Sequence, residues 1–147
     1  MHAFAWKPVY SVGDDAIDQQ HRSLIEMMNE YYDCQLNGGH DRAREVLARL
    51  LALTVRHFRD EEERMAQAGY PHLKEHQRLH QELLKSVDVL ARAYLHAPDS
   101  ESAGRLSTFL KAWLTRHILG SDKMYGPFLH RKPDPVQPPA VPAAPAA

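Results

Sequence analysis

Residues 57–80 read HFRDEEERMAQAGYPHLKEHQRLH. His57 and Glu61 stand four apart, His76 and His80 stand four apart, and Gly69-Tyr70-Pro71 lies between the pairs. On an α-helix, residues four apart sit one above the other on a single face. Two helices joined by a turn at Gly69–Pro71 would fold back as an antiparallel hairpin. Three imidazoles and a carboxylate then converge on one point, which is the beginning of a metal site. The stretch therefore predicts a helical hairpin and asks the rest of the chain for further ligands.

Upstream, Asp18 is a plausible N-cap for a helix striped by His21, Leu24, Ile25, Met28 and Tyr32 and stopped by Asn37-Gly38-Gly39. Asp41 can cap the second helix, whose stripe is Val46, Leu50, Leu53, His57, Glu61 and Met65. Arg56, Arg59, Asp60, Glu62, Glu63 and Arg64 fall on its other faces and read as solvated. Downstream of Pro71 the third stripe runs Leu73, His76, His80, Leu83, Val87, Leu90 and Tyr94 and stops at Pro98. Asp99 or Ser100 opens a fourth helix, striped by Leu106, Leu110, Trp113, Leu114 and His117 and closed by Gly120. Residues 1–17 carry aromatics without a sustained period and predict a non-helical arm across the helices. The Pro/Ala-rich stretch PDPVQPPAVPAAPAA predicts an extended, disordered tail. The expectation is an all-α, up-down-up-down antiparallel four-helix bundle over residues 1–132, with a tail at 133–147.

Short connections make consecutive helices antiparallel neighbours. His21 lies near the start of its helix, His57 and Glu61 late in theirs, His76 and His80 early, and His117 late. In an up-down-up-down bundle all of these fall at one end. Burying so many polar groups without partners costs on the order of 1–3 kcal/mol each, a cost that a metal ion removes. Asp122 lies five residues after His117, off the same face of a regular helix. A helix loosening at Gly120 would let its carboxylate swing back. Five imidazoles and two carboxylates exceed the four ligands of one zinc. They suit two carboxylate-bridged metals, with iron or manganese favoured by ligand type. The Glu-x-x-His of ferritin-like di-metal bundles is absent, so this ligand set is histidine-rich.

Composition narrows the remaining classes. A formal net charge of -1 gives no electrostatic case for nucleic acid or an acidic membrane surface. No apolar run approaches the ~18 residues of a membrane span. The first ten residues show no secretory signal, and one cysteine, Cys34, permits no internal disulfide. A cytoplasmic location is the expectation. Mixed charges on the solvent faces leave no apolar seam and favour a monomer.

Taken together, Ile17-Asp18-Gln19-Gln20-His21, His57 through Glu62, Tyr70-Pro71 with His76 and His80, and Trp113 through Ile118 followed by Asp122-Lys123 resemble the hemerythrin family, in particular single-domain bacteriohemerythrins. The resemblance covers residues 6–129. It implies that His76, His80 and His117 bind one iron and His21 and His57 the other. Glu61 and Asp122 would bridge them alongside an oxo or hydroxo group, and the ions would move between Fe2+ and Fe3+. It further implies that Phe58, Trp113 and Leu114 line an apolar pocket where O2 binds reversibly at the second iron. An oxygen carrier, store or delivery protein, in the last case serving an oxygen-consuming oxidase, is the first functional expectation. The alternatives are a di-iron enzyme acting on peroxide or nitric oxide, and an oxygen- or redox-sensing module. His2, His40, His72, His96 and His130 fall off the ligand positions and read as exposed.

Overall fold

A computed structural model describes residues 4–37 and 39–129 of the chain. The expected tail, and with it His2 and His130, lies outside the described residues. Four long helices make the body: α1 (Asp15–Leu36), α2 (His40–Gln67), α3 (Leu73–His96) and α4 (Ser100–Arg116). A π-helical turn, His117–Asp122, follows α4 without a break and leads into a short α5 (Lys123–Leu129). Helix α1 packs against α2 and α4, and α3 packs against α2 and α4, which closes the up-down-up-down bundle. Among the described residues no strand is present, and no helix is long and apolar enough to cross a membrane.

The starts of the helices differ in part from expectation. Asp14, one turn earlier than Asp18, caps α1 by accepting from the Ile17 N–H at 3.0 Å. Asp18 is instead buried inside the first turn, where it accepts from the Val12 N–H at 2.9 Å and from the Ser11 hydroxyl. Its carboxylate satisfies the incoming arm rather than the helix. Gly13, at φ 79, allows the arm to turn into α1 at that point. Gly39 rather than Asp41 occupies the N-cap of α2, and Asp41 sits in the first turn, where a carboxylate faces the positive end of the helix dipole. Asp99 caps α4 as expected, accepting from the Ser102 N–H at 2.7 Å in a reciprocal capping box.

Tyr31, not Tyr32, points into the bundle. Tyr31 packs edge-on against Tyr94 of α3 with ring centroids 6.2 Å apart, whereas Tyr32 is 37% exposed. Helical period alone places both near the boundary of the stripe, and the ring on the opposite helix selects one of them.

The N-terminal arm is non-helical apart from a single 3-10 turn at Pro8–Tyr10. Phe4 and Asn29 tie it to α1 with paired bonds, Phe4 N–H to Asn29 Oδ1 at 2.9 Å and Asn29 Nδ2 to the Phe4 carbonyl at 2.6 Å. Arg22 lies over the Trp6 ring at 4.8 Å. Two separate apolar clusters result. The larger fills most of the bundle, from Leu47 and Leu106 to Phe58, Trp113 and Ile118. The smaller joins Val12, Ile17, Met65, Tyr70 and Tyr125. Along α1 the order Ile17, His21, Leu24 passes from one cluster to the other, and along α2 the order Phe58, Glu61, Met65 does the same. A polar layer lies between them.

Candidate metal centre

That layer contains all seven residues expected as ligands, each at most 6% exposed. Helical period delivers six of them. His21 comes from α1, His57 and Glu61 from α2, and His76 and His80 from α3, while His117 opens the π turn after α4. Asp122 arrives by a different route. The helix does not loosen or end at Gly120; it widens into a π turn from His117 to Asp122. Hydrogen bonding from i to i+5 puts residues five apart on one face, and His117 Nε2 lies 2.9 Å from Asp122 Oδ1. Gly120 is exposed, with nothing near the place a Cβ would occupy and no left-handed φ, so it imposes no stop.

The seven side chains form two overlapping sets. Glu61, His76, His80, His117 and Asp122 offer ligand atoms all within 4.8 Å of one another, as do His21, His57, Glu61 and Asp122. The two carboxylates belong to both sets. Asp122 turns Oδ2 toward His21 Nε2 at 3.1 Å and Oδ1 toward His76 Nε2 at 3.1 Å. Glu61 Oε2 lies 3.1 Å from His80 Nε2 and 3.7 Å from His57 Nε2. Imidazole nitrogens also face one another, His21 with His57 at 3.1 Å and His80 with His117 at 3.0 Å.

Hydrogen bonds within the protein do not account for this arrangement. Glu61 Oε2, His76 Nε2 and both Asp122 oxygens are fully buried and make no hydrogen bond of acceptable geometry. Buried polar atoms of native proteins almost always find a partner. These four atoms face one centre lined by nitrogen and oxygen donors, and a pair of cations would supply the partner each one lacks. The donor set therefore fits two metal ions that share two carboxylates.

Electrostatics tells the same story in the metal-free cluster. Burial alone would lower the His21 pKa, but the adjoining carboxylates of Asp122 and Glu61 outweigh it and raise the value to about 9. His76 rises to about 9 for the same reasons. Burial wins at His57, whose pKa falls to about 4. Asp122 and Glu61 are held below the usual carboxylate range: burial would raise both, and for Asp122 so would the charge of Glu61, but the surrounding histidines prevail. Protons occupy the places that cations would take, and both carboxylates remain charged.

Several neighbours of the cluster were not legible as such. Tyr125 of α5 is fully buried and donates its hydroxyl proton to Glu61 Oε1. It stands three residues after Asp122, a helical spacing that could have flagged it. Gln20 accepts from the His57 Nδ1–H at 2.7 Å, and Glu62 accepts from the His80 Nδ1–H at 2.7 Å. Glu62 and Asp60 are thus not simply solvated: both are half-buried, and Asp60 accepts from Gln20 Nε2 at 2.7 Å. These contacts depend on which residue of the next helix lies opposite, and the sequence does not carry that information.

Phe58 stacks on the His80 ring at 3.7 Å and meets Trp113 edge-on at 5.8 Å. Leu114 is buried in the same apolar cluster. The other described histidines stay outside the centre. His72 is exposed beside Glu75, His96 is exposed, and His40 faces the Tyr94 hydroxyl at 3.3 Å.

Comparison with known proteins agrees with this geometry. Residues 12–129 match the family described as the hemerythrin HHE cation binding domain. A bacteriohemerythrin of Stenotrophomonas maltophilia is 35% identical over 125 residues, covering 85% of this chain and 80% of the relative. A myohemerythrin of Riftia pachyptila is 31% identical over 122 residues, covering 83% and 90% of the two chains. A solved structure of a hemerythrin point mutant superposes with a TM-score of 0.81 at 27% identity, covering 89% of this chain and all of the other. The chain belongs to the hemerythrin family, the proteins that bind oxygen at a non-haem di-iron centre.

Proposed function

We propose that this chain binds O2 reversibly as a carrier, store or delivery protein. His76, His80 and His117 would hold one iron and His21 and His57 the other, with Glu61 and Asp122 shared between them. The observation that carries this reading is the sharing of both carboxylates between a three-histidine set and a two-histidine set. When bound, two irons would supply the redox chemistry, passing reversibly between Fe2+ and Fe3+ as oxygen binds and leaves. The two-histidine half has fewer protein ligands and would keep a position open to oxygen.

The residues around the centre have separate tasks. Phe58, Trp113 and Leu114 form an apolar wall that excludes the water and protons that would promote irreversible oxidation. Tyr125 holds Glu61 Oε1 in place through its hydroxyl, leaving Oε2 directed at the histidines. The Nδ1 protons of His57 and His80 are fixed by their acceptors, so Nε2 of each ring presents a lone pair to the centre. The lone Cys34 supports a reducing, cytoplasmic setting. The mixed charges of the outer faces support a monomer, and an oxygen-consuming oxidase is the natural recipient.

The test is anaerobic reduction of the iron-loaded protein, then addition and removal of O2 under a visible spectrometer. A ligand-to-iron charge-transfer band that appears with oxygen and disappears on its removal is expected. Rapid one-way conversion to the ferric protein with consumption of peroxide or nitric oxide would instead assign an enzyme. A reversible band combined with oxygen-dependent capture of a partner protein would assign a sensor.

A further inference from the structure

Behind the ligand face, two hydrogen bonds are equal in length and unlike in chemistry. His57 Nδ1–H donates to the side-chain amide of Gln20 at 2.7 Å, and His80 Nδ1–H donates to the carboxylate of Glu62 at 2.7 Å. The roles are fixed by the partners. Gln20 uses its Nε2 on Asp60, leaving Oε1 to accept, and a carboxylate can only accept. Glu62 also receives the Gln77 amide at 3.4 Å, and its side chain is only 26% exposed. Its charge therefore acts on His80 through a partly desolvated contact.

A carboxylate behind an imidazole draws the Nδ1 proton toward itself and raises electron density at Nε2, more than a neutral amide does. The richer donor favours the more highly charged metal ion. His80 belongs to the three-histidine half and His57 to the two-histidine half. We propose that Glu62 and Gln20 are positioning residues that make the two half-sites electronically unequal. Glu62, through His80, stabilises Fe3+ in the three-histidine half, while Gln20, through His57, gives Fe3+ less support in the two-histidine half. The half with the open position is then the one that regains its electron more readily, which favours release of oxygen over lasting oxidation. This inference rests on the di-iron reading above.

The first test is a redox titration of the full-length, iron-loaded protein, with an electrode and mediators supplying one electron for each Fe3+ converted to Fe2+. Glu62→Gln should keep the hydrogen bond and two irons per chain, and should raise one of the two reduction steps. Gln20→Glu, made together with Asp60→Asn because Gln20 Nε2 donates to the Asp60 carboxylate, should lower the other. Each change should amount to roughly a tenfold to hundredfold shift in ferric-over-ferrous affinity. Glu63→Gln removes the same charge from an exposed position one residue on and should move neither step. Movement of the same step by both variants, or no more movement than Glu63→Gln produces, overturns the proposal.

The second test needs no iron. In the metal-free protein the His80 Nδ1–H proton resonance should lie downfield of that of His57. Glu62→Gln should shift the His80 resonance upfield and leave the His57 resonance in place, and an unmoved His80 resonance overturns the proposal. Should Glu62→Gln lose iron, Gln20→Glu with Asp60→Asn and the proton resonances decide. A parent protein that fails to take two irons would defeat the functional reading, and the proton measurement would still judge this one.

Discussion

The two ends of the bundle use the same four helices under opposite rules. Away from the metal centre, Val46, Leu47 and Leu50 of α2 meet Val87, Ala91 and Tyr94 of α3 and Leu106 of α4, each at most 3% exposed. Each valine and leucine among them gains on the order of 1.5–3 kcal/mol by leaving water and needs no hydrogen-bonding partner. At the other end, seven ionisable side chains are each at most 6% exposed, and five of their atoms lack a hydrogen bond. There, burial is unfavourable until something charged fills the centre. The apolar end is satisfied by packing; the polar end has donor atoms that a pair of cations would satisfy.

The largest expected effect separates the two ends directly. Loading iron should raise the melting temperature, with about 4 kcal/mol gained when free iron is about a thousandfold above its dissociation constant. Thermal denaturation with and without a chelator measures this. Equal melting temperatures would mean that the polar end needs no metal, and the contrast would collapse.

Leu50→Ala probes the other end. Leu50 is fully buried, and the cavity should cost about 2–5 kcal/mol. The loss should be the same in the iron-loaded and metal-free proteins, while iron stoichiometry stays unchanged. A Leu50→Ala protein whose deficit appears only after iron is removed would show that the ends are coupled.

The pH dependence of the metal-free protein sharpens the comparison. The depressed pKa of His57 means that its stabilising contribution is lost as pH falls from 6.5 toward about 4. The raised values of His21 and His76 mean that theirs are present below 6.5 and lost as pH rises toward about 9. Stability should therefore peak near 6.5 and decline on both sides. Melting curves of the metal-free protein across this range would show the peak, and a flat profile would refute the electrostatic account of the polar end.

The smallest effect is at the floor of the site. A Cβ on Gly126 of α5 would lie 2.7 Å from the Val12 carbonyl oxygen. Both groups are backbone and neither can swing away, so Gly126→Ala should cost about 1–3 kcal/mol. The N-terminal arm should show the change first, as faster amide hydrogen exchange at Val12, whose N–H is held by Asp18. Unaltered exchange there would mean that the arm does not depend on α5.

The sequence by itself determined the number and order of the four long helices and six of the seven residues at the centre. Period four is a local property: once His57 and Glu61 share a helix face, no distant contact is needed to align them. It also named Asp122, though not how it arrives. Only the tertiary structure decided that α4 widens into a π turn, which sets Asp122 beside His21 across the bundle. The same holds for Tyr31 over Tyr32, for Asp18 receiving the arm, for Tyr125 beneath Glu61, and for Gln20 and Glu62 behind two of the histidines. Each of these is a pairing between separate elements of the fold. Helical period says which face is buried, and only packing says what that face meets.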